Sequence, residues 1–121
     1  MSFDLHRFPR SLRRAVIALV RALREEHNFR LQVFGGVVVL IFAAWRGVRW
    51  PEFALLTAVL GFVPVLELVI SSVERLVDIA EPRLHSYAAL VKDLLAAAVL
   101  LAAIVAGAVA VIVLMPYLVR R

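Results

Sequence analysis

The chain has 121 residues, of which 64% are hydrophobic, and its mean hydropathy is +0.94. A soluble domain is closer to half apolar, so this composition excludes an ordinary soluble protein and predicts one integral membrane domain. Cysteine is absent, which excludes disulfides and thiolate metal sites, and the net charge of +5 comes almost entirely from arginine.

The first predicted element is an amphipathic helix over residues 4–27. Its apolar residues recur at spacings of three and four, and arginines fill much of the remainder. The apolar set is Leu5, Phe8, Leu12, Val16, Leu19, Val20 and Leu23. Such a helix suits the membrane interface, with its arginines among lipid phosphates, so we predict lipid rather than nucleic acid as the partner of the basic charge.

Three apolar stretches follow, and they predict membrane-spanning helices over 29–46, 52–80 and 86–119. Phe53–Leu66 carries no charge, and neither does Leu94–Val119. About 20 residues suffice to cross the hydrocarbon, so each stretch is long enough to span, the first only if its polar start lies at the boundary.

A break in the helix is predicted at Glu81-Pro82, between the second and third spans, with His85 in the short connection. The predicted fold is therefore an all-α membrane protein with one surface helix and three transmembrane helices.

The distribution of Lys and Arg predicts the orientation. The first thirty residues and the segment 74–93 together hold ten of these residues, and the opposite side holds four. The positive-inside rule then places the N-terminus in the cytoplasm and the C-terminus on the opposite side of the membrane.

An acidic stripe closes the second span and is the main indication of function. Glu67 and Glu74 are seven residues apart and nearly superimpose on one helix face, and Asp78 lies one turn further along. Because intramembrane acids are costly and usually functional, we interpret the stripe as a cation site. The alternative for Glu67 and Glu74 is a structural polar contact, either between helices or with Arg75. Asp78 is nearer water, where it could instead pair with Arg75 or Arg83.

Carboxylates suit Mg²⁺, which is usually held by one or two acids together with substrate phosphates, and Lys or Arg suits the phosphates. A deeper carboxylate can accept the proton of a hydroxyl. No Gly-rich phosphate loop, zinc spacing or Ser-His-Asp set is present in the sequence. The pattern indicates phosphoryl transfer to a membrane alcohol.

In order and spacing, several motifs resemble the small prokaryotic diacylglycerol kinase family, which includes undecaprenol kinase. They are the segment Glu26 to Gln32, the acids Glu67, Glu74 and Asp78, then His85, and finally Lys92-Asp93 before an apolar run. The resemblance implies a three-span homotrimer that transfers the γ-phosphate of ATP to a lipid hydroxyl. Independently of the resemblance, the three spans of one chain cannot shield three acidic side chains from lipid, so an oligomer is expected.

The resemblance also implies roles for single residues. Glu67 matches the catalytic base, and Glu26 and Glu74 match the carboxylates that hold Mg²⁺ with ATP. Nucleotide contacts are implied for Arg7, Glu74, His85, Lys92 and Asp93. Contacts with the lipid substrate are implied for Glu67 and for Asn28, Phe29, Arg30, Leu31 and Gln32.

One departure stands out. The family pattern has Asn three residues after the first glutamate, where this chain has Ile70. The predicted function is Mg²⁺- and ATP-dependent phosphorylation of a lipid alcohol, most directly of diacylglycerol to phosphatidic acid. The alternatives are an undecaprenol kinase, or a non-catalytic or transport-type membrane protein in view of Ile70.

Overall fold

The computed structural model describes residues 8–119, with only the backbone described for Phe8 and for 81–85. Within this part of the chain, three helices follow one another: α1 (Phe8–Glu25), α2 (His27–Trp45) and α3 (Trp50–Val119). The predicted all-α fold is confirmed.

Three apolar segments are long enough to cross a membrane: His27–Trp45, Trp50–Ala80 and Ser86–Val119. The first coincides with α2, and the other two are the halves of α3. The sequence predicted these spans over 29–46, 52–80 and 86–119, so the observed bounds differ by two residues or fewer. The predicted surface helix over 4–27 corresponds to α1 within the described residues.

Helix α3 reverses direction between its halves. A straight helix of this length would separate Glu52 from Tyr117 by nearly 100 Å, at about 1.5 Å per residue. Instead, the hydroxyl of Tyr117 lies 3.1 Å from the carboxylate of Glu52. The halves are therefore antiparallel. The reversal lies between Asp78 and Lys92, whose side chains meet. The backbone stays helical through 81–85, so the helix break and short connection that the sequence predicted at Glu81-Pro82 are wrong.

Helices α1 and α2 meet at Glu26, whose extended backbone interrupts the helical run. The guanidinium of Arg30 donates to the carbonyl oxygens of Leu23 and Arg24, at 3.4 and 3.2 Å. These carbonyls belong to the last turn of α1, which has no helical N–H partners for them. Arg30 therefore stabilises the end of the surface helix and fixes it to the start of the first span.

Helix α2 packs antiparallel against the first half of α3. A Cβ added at Gly36 would lie 3.7 Å from the Cβ of Leu60, so the two helices approach closely there. Further along, Ala43 and Leu56 are fully buried, and Val113 from the second half of α3 joins them. All three spans thus share one packed cluster near the ends of α2 and α3.

The buried face of the first half of α3 follows a repeat of seven residues. Leu56, Val63, Ile70 and Val77 are all buried. This spacing is typical of left-handed helix packing, in which one residue in seven returns to the same seam. Ile70 therefore belongs to the packing seam of the bundle.

Polar contacts close the bundle at the C-terminal end of α3. The backbone N–H of Arg49 donates to the hydroxyl of Tyr117 at 3.2 Å, and that hydroxyl donates to Glu52. Arg46 donates to the carbonyl oxygen of Tyr117, which lies in the last turn of α3. We refer to these four residues as the Tyr117 cluster.

Replacing Tyr117 by Phe should lower stability without affecting the other end of the bundle. The change removes two hydrogen bonds, one of them to a carboxylate, and we expect a loss of about 1–2 kcal/mol. Thermal unfolding in detergent should show a midpoint lower by roughly 5 °C. The control is Tyr87→Phe, because Tyr87 is exposed. Equal midpoints for the two variants would contradict a fastening role for the Tyr117 hydroxyl.

Candidate functional site

An acidic groove of about 310 Å³ lies where the α1–α2 junction meets the first half of α3. We refer to it as the acidic groove. Its lining residues are Glu26, His27, Asn28, Glu67, Ser71, Glu74, Arg75 and Asp78. The spacing predicted the α3 acids on one helix face, and the resemblance implied Glu26 beside Glu74. The fold brings Glu26 to these acids from the α1–α2 junction. Four carboxylates therefore border one open space.

Glu26 is held in the groove by two residues of α3. The hydroxyl of Ser71 donates to Oε2 of Glu26 at 2.6 Å, and the guanidinium of Arg75 lies 3.5 Å from Oε1. Ser71 and Arg75 are one helical turn apart, so they reach the same carboxylate from one face. Arg75 was considered as a partner for Glu67 or Glu74, and the structure shows it paired with Glu26.

Glu67 is the buried acid of the groove, with 9% of its surface exposed. The amide of Gln32 donates to Oε2 of Glu67 at 3.4 Å, which ties α2 to α3 at this depth. The opposite amide orientation would set two acceptors face to face. The remaining amide oxygen of Gln32 is buried and has no hydrogen-bond partner among the described residues.

Asp78 forms an ion pair across the α3 hairpin. Nζ of Lys92 lies 2.6 Å from Oδ1 of Asp78, and both side chains are about half exposed. The sequence predicted Arg75 or Arg83 as the partner of Asp78, and the structure shows Lys92, because the reversal of α3 brings the start of the third span beside the end of the second. The side chain of Arg83 lies outside the described residues. Lys92 reaches the rim of the acidic groove through this contact.

The segment Asn28 to Gln32 does not present one continuous surface. Asn28 lines the groove and Gln32 contacts Glu67. Phe29 is buried, whereas Leu31 is exposed. Arg30 is engaged with the end of α1. Only the two ends of this predicted lipid-contact segment therefore face the site within one chain.

Three further residues were predicted to contact the nucleotide: Arg7, His85 and Asp93. Asp93 is exposed and is not part of the groove lining in the described structure. Arg7 lies outside the described residues, and so does the side chain of His85.

Residues 13–114 match the sequence model of a family described as prokaryotic diacylglycerol kinase. The chain belongs to this family. A "Diacylglycerol kinase" of Synechocystis sp. (strain ATCC 27184 / PCC 6803 / Kazusa) is 35% identical over 107 residues, which are 88% of this chain. The chain covers 61% of the length of that relative. No solved structure matches this chain.

Membership of the diacylglycerol kinase family confirms the resemblance drawn from the ordered motifs. The matched residues include the whole lining of the acidic groove and the α3 hairpin. Of the Tyr117 cluster, they include Arg46, Arg49 and Glu52. At the departing position, the structure places Ile70 in the buried seam of α3 and outside the groove lining. The neighbouring Ser71 is the residue that supplies a polar atom to the groove.

The sequence did not predict the contacts of Ser71 and Arg75 with Glu26, of Gln32 with Glu67, or of Lys92 with Asp78. The signal for Ser71 was present, because it lies one turn after Glu67 on the acidic face. Its partner could not be read from spacing, since Glu26 is 45 residues away in the chain.

Proposed function

We propose that this protein phosphorylates a membrane lipid alcohol with ATP and Mg²⁺, most directly diacylglycerol to phosphatidic acid. The observation that carries the proposal is the acidic groove. It combines a buried carboxylate, Glu67, with the more accessible carboxylates Glu26 and Glu74, at the end of an apolar span. A site in this position is accessible both to a lipid in the membrane and to a charged co-substrate in water.

The carboxylates of the groove fit Mg²⁺. The donors are hard oxygen atoms, which this cation prefers, and one or two carboxylates plus phosphates are its usual ligands. Among the described residues, no three acidic or histidine side chains converge closely enough to form a complete metal site. In this proposal the cation arrives bound to ATP. Glu26 and Glu74 would hold it, and it would neutralise the charge of the phosphates.

Glu67 serves as the general base in this proposal. The lipid hydroxyl oxygen attacks the γ-phosphorus, the bond from that phosphorus to the bridging oxygen breaks, and ADP leaves. The hydroxyl proton passes to the carboxylate of Glu67. The amide of Gln32 holds that carboxylate from α2.

Lys92 provides positive charge for the phosphates of ATP. Its ammonium lies at the rim of the groove through Asp78, where an incoming phosphate can compete for it. Nucleotide contacts from Arg7, His85 and Asp93 belong to the same proposal. Asn28 and Gln32 border the side on which the lipid headgroup would enter.

The proposal includes a homotrimer in the inner membrane, with the N-terminus in the cytoplasm. The arginines of α1 favour the cytoplasmic surface, and α1 joins the groove end of the bundle. Asp93 does not line the groove of its own chain. In the proposed trimer it would contact the nucleotide bound in the groove of a neighbouring protomer. Light scattering in mild detergent would count against the trimer if it returned the mass of a monomer.

The decisive experiment is a lipid phosphorylation assay. Purified protein in liposomes receives labelled ATP, Mg²⁺ and either diacylglycerol or undecaprenol, side by side. We expect Mg²⁺-dependent label in the lipid fraction, with diacylglycerol the better acceptor. Faster labelling of undecaprenol would reassign the substrate. No labelling of either lipid by a correctly assembled protein would favour the non-catalytic alternative motivated by Ile70.

A further inference from the structure

Ser71 differs from the other described hydroxyl residues of the first half of α3. Ser72 donates to the carbonyl oxygen of Leu68 at 3.0 Å, and Thr57 donates to that of Phe53 at 2.9 Å. Both bonds return to the preceding turn of the same helix, which is the usual arrangement for Ser and Thr within helices. Ser71 instead donates to Glu26, across the interface between helices.

We infer that Ser71 is a positioning residue that fixes the carboxylate of Glu26 for cation binding. The inference rests on the proposed function, in which Glu26 holds Mg²⁺ with ATP. It adds a residue that acts through Glu26 and makes no contact with the cation itself.

The need for positioning arises from where Glu26 lies. It occupies the junction of α1 and α2, where the backbone is extended and the side chain makes no capping hydrogen bond to α2. A flexible carboxylate loses rotamer freedom when it binds a cation, and a contact made beforehand removes part of that cost. Ser71 supplies this contact from the rigid first half of α3.

The strength of the two contacts favours Ser71 over Arg75. The Ser71 bond is short, at 2.6 Å, and its acceptor is charged, whereas the Arg75 contact is 3.5 Å long. The side chain of Arg75 is 68% exposed, so water screens its attraction for Glu26. Ser71 is thus the main constraint on the carboxylate.

The carboxylate retains the capacity to bind a cation while Ser71 holds it. Two carboxylate oxygens offer about four acceptor positions, and Ser71 and Arg75 occupy one each. The side chain of Glu26 remains 22% exposed. The neighbouring Ile70 is buried in the packing seam, and the hydroxyl of Ser71 supplies the polar contact to Glu26.

The test compares Ser71→Ala with Ser72→Ala, which removes the same hydroxyl from the adjacent position. Binding of Mn²⁺, as a probe for Mg²⁺, is followed by electron paramagnetic resonance with a non-hydrolysable ATP analogue present. We expect Ser71→Ala to weaken Mn²⁺ binding about tenfold, the effect of losing one hydrogen bond to a charged group. Ser72→Ala should stay within about twofold of the unaltered protein, because its bond lies within one helix.

A second pair keeps the comparison independent of packing. Thr and Val have nearly the same shape, so Ser71→Thr should retain tight Mn²⁺ binding and Ser71→Val should lose it. In the lipid assay, Ser71→Val should need more Mg²⁺ for half-maximal rate, with an unchanged KM for the lipid. If Thr and Val variants bind Mn²⁺ equally well, the inference is overturned.

Failure of the proposed function would look different. In one outcome, the unaltered protein phosphorylates no lipid, but the Ser71→Val variant binds Mn²⁺ more weakly than the Ser71→Thr variant. This result would reject the kinase proposal and retain the role of Ser71. A fully active protein with equal binding in both variants would reject only the role of Ser71.

Discussion

Replacing Glu67 by Gln is expected to lower the turnover of the lipid kinase reaction by at least about 100-fold, the lower part of the range for loss of a general base. The amide has nearly the same size and can still accept the hydrogen bond from Gln32. It cannot take up the proton of the lipid hydroxyl. The change therefore removes the chemistry and leaves the packing of α2 against α3 in place.

Measurement of kcat and KM separates this role from a structural one. The KM values for ATP and for diacylglycerol should change by less than about threefold, because an interaction used only in the transition state affects kcat. Glu52→Gln is the matched control, since it removes the same charge from the same helix at the Tyr117 cluster. A Glu67→Gln variant with the turnover of this control would show that another group accepts the proton.

The sequence was sufficient for the spans and for the acidic face of α3. Both follow from local rules: the length of an uncharged stretch, and the 100° that separates successive residues on a helix. Glu67 and Glu74 therefore line one groove, as their spacing of seven residues indicates. The helix break predicted at Glu81-Pro82 was wrong, because the backbone stays helical through these residues.

Contacts between helices were not accessible in the same way. The pairing of Glu26 with Ser71 and that of Lys92 with Asp78 depend on how α2 and the hairpin pack, which no local spacing determines. The interpretation of Ile70 changes for the same reason. From the sequence, Ile70 indicated that a polar side chain is missing from the site. In the fold, Ile70 is one of the buried residues that recur every seven positions along α3.

Replacing Glu74 by Gln should affect binding rather than the chemical step. Glu74 lines the acidic groove one turn before Asp78, and it is more accessible than Glu67. Loss of its charge removes one of the two carboxylates proposed to hold Mg²⁺ with ATP. We expect the Mg²⁺–ATP concentration for half-maximal rate to rise about 10- to 100-fold, the range for loss of one contact to a charged group.

The contrast between Glu74→Gln and Glu67→Gln makes this prediction specific. At saturating Mg²⁺–ATP, the Glu74 variant should recover most of its turnover, and the Glu67 variant should recover none. Glu25→Gln provides the control for net charge, because Glu25 is exposed, adjoins Glu26 in the chain and does not line the acidic groove. Equal shifts in Glu74→Gln and Glu25→Gln would mean that the general electrostatic field, and not a direct ligand, attracts the nucleotide. If the Glu74 variant lost turnover that saturation did not restore, the division between binding and base roles in the groove would be wrong.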